Sequence, residues 1–92
     1  MAWQLNAMAS LNWRCWNDEW AVFDLSSGQT HQMDTLTAVT LMMLEAAPAN
    51  LCGLASRVSE ELLIPGDQEL SNVLTDILKR LEAAGLIEFA SQ

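Results

Sequence analysis

The hydrophobic pattern of this chain changes period once, at Asp34, and that change restricts the folds open to it. Before Asp34 the pattern belongs to strands. Leu11, Trp13 and Cys15 alternate with Asn12 and Arg14, and Trp20-Ala21-Val22-Phe23 follows the turn-forming pair Asn17-Asp18. Aromatic and β-branched side chains suit a pleated, half-buried surface. Ser26-Ser27-Gly28 supplies a second turn, since glycine tolerates positive φ. The reading is a meander of three short strands over 11–16, 19–25 and 29–33, with Trp3 to Leu5 as either a short strand or a loose arm within residues 1–10.

After Asp34 the apolar residues recur at helical spacing. Asp34 is a good N-cap for a helix from Thr35 to about Ala47, which Pro48 stops. Leu36, Val39, Met43 and Ala47 would be its core face, leaving Leu41 and Met42 outside, either under the N-terminal arm or against a partner. Asn50 caps a second helix over about 51–63, with a narrow stripe of Leu51, Leu54, Ala55, Val58 and Leu62 that Gly53 weakens slightly. Pro65-Gly66 breaks the chain, and Asp67 caps a third helix over about 68–84. Its stripe is Leu70, Val73, Leu74, Ile77, Leu78, Leu81 and Ala84. Gly85 fits the left-handed position that ends a helix, and Leu86 can pack back on the last turn before a short extended tail to Phe89. Strands followed by helices argue an α+β fold, with three helices on one face of a small antiparallel meander. Residues 1–92 suffice for one domain and are too few for two.

Composition narrows the function. Charged residues make up 17% of the chain and hydrophobic ones 51%, so disorder is not expected. The net charge of −8 leaves only Arg14, Arg57, Lys79 and Arg80 as basic residues, and that field repels nucleic acid and anionic lipid. A basic partner peptide remains open beside simple solubility. The longest dense apolar stretch, Leu41 to Leu44, is far too short to span a bilayer, and no targeting segment is visible. Cys15 and Cys52 form no CxxC pair, so reduced thiols in a cytoplasmic protein are expected, with Cys52 packed.

Catalytic chemistry finds little support. His31 is the single histidine, and the expected state is a half-buried strand histidine bonded to backbone rather than a general base. One His and two distant Cys do not make a metal site, and neither a glycine-rich phosphate loop nor a nucleophile elbow occurs. The neighbouring acids Asp18-Glu19 and Glu60-Glu61 read as solvated. No catalytic residue, metal or cofactor is therefore expected. Trp3, Trp13, Trp16 and Trp20 crowd the first twenty positions. Core and cross-strand packing accounts for most of them. Trp13 and Trp16 point to opposite faces, however, and both faces of a single-layer sheet cannot be core, so some indole should be exposed. Exposed Trp suits a partner surface.

The segment from Trp16 to Asp34, with Gly28-Gln29-Thr30-His31-Gln32-Met33-Asp34 leading into an apolar helix, resembles the strand region of PqqD-like proteins. The ending Leu81 to Glu88 fits them more weakly. The resemblance spans roughly residues 3–89 and is nearest the branch encoded beside HPr-kinase-like proteins. It implies a winged-helix RiPP recognition element, a peptide chaperone that captures a precursor's leader peptide and presents it to a modifying enzyme. It also implies that the leader adds a strand to the third strand of the meander and lies against the third helix. On this chain that edge is Gln29, Thr30, His31, Gln32 and Met33, and the groove wall is Val73, Ile77 and Arg80. An open edge supports such capture physically, because its free N–H and C=O groups give affinity while pockets read alternate side chains. The chain departs from typical members in its Met content and in Gly53. The alternatives are a structural or homodimerisation module, and a DNA-binding regulator. The last needs a basic recognition helix, which Arg57 beside Glu60 and Glu61 does not provide.

Overall fold

The computed structural model describes residues 2–17 and 19–90; Asp18, in the first expected turn, lies outside them. The elements in order are β1 (Ala2–Leu5), β2 (Leu11–Trp16), β3 (Glu19–Asp24), β4 (Gln29–Met33), α1 (Thr35–Ala46), α2 (Leu51–Leu62), α3 (Gln68–Ala83) and β5 (Ile87–Ala90). This is the expected winged-helix-like α+β arrangement, a meander of order β2-β3-β4 followed by three helices.

The N-terminal segment is a strand, not a loose arm. β1 pairs antiparallel with β5, with Trp3 opposite Phe89, as a second two-stranded sheet. Its other edge exchanges two bonds with Ala49, Trp3 N–H to Ala49 C=O at 2.8 Å and Ala49 N–H to Trp3 C=O at 3.0 Å. The Trp3 and Phe89 rings meet edge to face at 4.8 Å.

All three helix caps form as read. The Asp34, Asn50 and Asp67 side chains accept from the N–H groups of Thr37, Gly53 and Leu70. Asn50 Oδ1 lies 2.7 Å from Gly53 N. A Cβ on Gly53 would come within 3.1 Å of that oxygen, so the glycine keeps the cap unobstructed. At the end of α3, Gly85 takes φ +79°. Leu86 N–H then bonds Leu81 C=O and Gly85 N–H bonds Glu82 C=O, which satisfies orphan carbonyls and folds Leu86 into the core.

The core joins Val22 of the sheet to Leu41 and Leu44 of α1, Leu54 and Val58 of α2, and Leu70, Leu74, Ile77, Leu78 and Leu81 of α3. The expected face of α1 needs correction. Its buried residues are Ala38, Thr40, Leu41 and Leu44, whereas Leu36, Val39 and Met43 are half-buried. α1 touches β1, β3, α2 and α3, so it is covered on several sides. Of the two residues expected outside the core face, Leu41 is wholly buried in the core and Met42 is half-buried. The Thr40 hydroxyl, wholly buried, is satisfied by the Leu36 carbonyl at 2.9 Å. Cys15 and Cys52 are both free and exposed, so Cys52 is not packed.

Candidate functional site

The meander has β4 at one edge, and the direction of its backbone groups follows from the ladder. Leu25 N–H bonds Ser10 C=O at 2.8 Å, and Gly28 N–H bonds Asp24 C=O at 2.8 Å. Backbone groups alternate direction along an antiparallel strand. Phe23 and Ala21 therefore face β2, while Asp24, Val22 and Trp20 face β4. Their partners Gln29, His31 and Met33 turn their own N–H and C=O inward. Thr30 and Gln32 turn theirs outward, along the open edge.

Side chains alternate the other way. His31 and Met33 share the core-facing side with Val22 and Trp20 and are half-buried, whereas Thr30 and Gln32 are exposed on the opposite face. Between the β4 edge and α3 lies a cleft of about 310 Å³, lined on one side by His31, Gln32, Met33 and Asp34 and on the other by Arg80, Leu81 and Ala84, with Thr37 and Leu86 completing it.

Of the residues expected for a peptide groove, the structure brings His31, Gln32, Met33 and Arg80 together here. Gln29 and Thr30 lie on the same strand but do not line the cleft. Ile77 is only 1% exposed and belongs to the core, and Val73, 37% exposed, lines a separate depression with Leu36 and Ile64. Helical spacing placed Val73, Ile77 and Arg80 on one margin. It could not show that the middle of that margin, Ile77, is core.

Arg80 is the one basic residue of the cleft, and its acidic neighbour is already engaged. The Asp34 carboxylate accepts from the Thr37 N–H at 2.8 Å. That bond, then the Thr37 hydroxyl and the charge of Arg80, holds Asp34 below the usual carboxylate range, against the opposing effect of burial. His31 departs from expectation. Its Nε2 is buried with no hydrogen-bond partner, where a satisfied strand histidine was expected.

Sequence reasoning missed Asp24, which fixes the turn that launches β4. Oδ1 accepts from Ser10 N–H, Ser26 N–H and the Ser26 hydroxyl at 2.8–3.2 Å, and Oδ2 from the Ser27 hydroxyl at 3.2 Å. The bond from the Ser26 hydroxyl leads in keeping its pKa low, and burial works against it. An Asp followed by two serines and a glycine was the available signal, since such side chains bond their own turn.

The outer sheet face carries the exposed indole. Trp16 is 46% exposed and Phe23 37%, and with Asn12, Arg14, Ala21 and Thr30 they line a shallow depression. Trp13 instead sits on the core-facing side, edge to face with Trp20 at 6.1 Å, its Nε1–H bonded to Glu45. Among the described residues no group of three His, Cys, Asp or Glu is gathered to hold a metal ion, and no helix is long and apolar enough to cross a membrane.

The chain matches no protein-family model and no curated protein. Among solved structures it is similar to TbiB1 in complex with the TbiA(beta) leader peptide. The TM-score is 0.70 and the identity 16%, over 97% of this chain and 99% of that one. At that identity the likeness establishes a shared fold.

Proposed function

We propose that this chain is a non-catalytic peptide-binding adaptor, of the PqqD-like RiPP-recognition type, which captures a leader peptide by strand addition at β4 and presents it to a modifying enzyme. The observation that carries the reading is the open edge of Thr30 and Gln32 running directly beside a cleft walled by α3. An extended peptide gains backbone bonds from the edge, and the cleft receives every second side chain. That TbiB1, with the same fold, was solved with a leader peptide supports the reading. The exposed Trp16 and Phe23 lie on the other face, where a bound peptide leaves them free for an enzyme partner. The net charge of −8 favours neither nucleic acid nor anionic membrane as partner, and the reading places the protein in the cytoplasm.

The test is calorimetric titration with synthetic peptides from short reading frames encoded beside the gene, followed by amide exchange. One peptide should bind and slow exchange at Thr30 and Gln32. Binding that leaves those two amides unprotected would reject strand addition. A second reading, a homodimerisation or structural subunit without peptide ligand, is favoured by the exposed outer face. It predicts self-association that Trp16→Ala abolishes, measured by sedimentation.

A further inference from the structure

We propose that the cleft beside β4 selects an acidic side chain of the captured peptide and holds it on Arg80. The proposal rests on the strand-addition reading and adds a chemical class to it. In an antiparallel addition, the peptide residue bonded to Gln32 shares the outer face with the Gln32 side chain. Its two neighbours, opposite His31 and Met33, turn toward the cleft. The peptide is thus read at positions two apart, and only that set meets Arg80.

The charge of the cleft decides what it accepts. The protein carries −8 overall, so a peptide carboxylate gains nothing from the general field. Locally the balance differs. Arg80 is exposed on the cleft wall beside the apolar Leu81 and Ala84, and a long side chain keeps its charged head in water while its stem lies on apolar surface. Asp34 would repel an acid, but its Oδ1 accepts from the Thr37 N–H on the first turn of α1, where the free N–H groups and helix dipole partly offset its charge. The guanidinium remains to pair with a ligand, and its planar fork suits a carboxylate. On the outer face the side chains next to an added strand are Thr30 and Gln32, which carry no charge and impose no such preference.

The experiment uses the intact chain and a random dodecapeptide display library. Selected peptides should carry Asp or Glu at one fixed position, flanked two residues away by an apolar residue. Selection on Arg80→Met should return binders without that acid. A single acid-bearing clone should bind Arg80→Met about tenfold more weakly, the scale of one hydrogen bond to a charged group. Its Glu→Gln counterpart should bind both proteins alike. Binders that depend on the β4 edge, being lost on Gln32→Pro, yet show no acid would overturn this inference and leave strand addition standing. Binders that survive Gln32→Pro, or no binders at all, would overturn both.

Discussion

A pair of proline substitutions one residue apart tests the geometry on which the site depends. The Gln32 N–H points out along the open edge, so Gln32→Pro removes a donor that the ladder does not use. Edge strands tolerate proline with the N–H side toward solvent, and His31 before it already has the extended backbone that proline requires of its predecessor. The expected cost to stability is within about 1 kcal/mol, from the narrowed φ alone. His31→Pro is the contrast. Its N–H points toward Val22, so the change breaks a ladder bond and strands the Val22 carbonyl, itself in a wholly buried residue. A lost bond of about 1 kcal/mol and an unsatisfied buried acceptor of about 1–3 kcal/mol sum to roughly 2–4 kcal/mol. Urea denaturation followed by circular dichroism reads both. Native amide exchange provides an independent check, with Thr30 and Gln32 fast and His31 and Met33 protected. Equal destabilisation by the two prolines, or protected amides at Thr30 and Gln32 in the free protein, would refute the assigned direction of the edge.

Leu74→Ala should cost about 2–5 kcal/mol by denaturation, since Leu74 is wholly buried where the helices meet the sheet; a small loss would mean that this face of α3 is not core. Asp24 and Asp34 have folded pKa values below their unfolded ones, so the stability they add is present above about pH 4 and drains away as pH falls through the folded values. Melting temperatures across the acid range should therefore fall less steeply for Asp24→Ala, which starts lower at neutral pH; an unchanged acid limb would remove Asp24 from that account. Duplex DNA should show no binding in an anisotropy titration at physiological salt, and micromolar, salt-sensitive affinity would contradict the reading of the charge.

Local chemistry made most of the architecture legible. Asp34, Asn50 and Asp67 announced three helix starts because a cap is decided within four residues, and Gly28 and Gly85 marked positions whose positive φ favours glycine. The edge strand Gln29–Met33 was readable for the same reason, bounded by a turn before it and a cap after it. Misreadings arose where the outcome depended on distant segments. Leu41 looked misplaced because a helix pattern shows how many faces are apolar but not how many neighbours cover them. Ile77 and Arg80 sit on one helix margin, yet one is core and the other lines the cleft, a division that helical spacing alone does not contain. The pairing of Trp3 with Phe89 had no local signal at all.

That pairing has a bearing on how the protein is made. Gln4 and Glu88 are joined across 84 positions, so the small sheet cannot close before β5 has been made. The meander, built from neighbouring hairpins, carries no such delay. The nascent chain then has a defined order of completion. The edge strand β4 can form before the helices are made, β1 can lodge against Ala49 once that residue has emerged, and β5 can cover Trp3 only after α3 is complete. β1 and β5 thereby clasp the elements between them, on a sheet separate from the meander that holds β4.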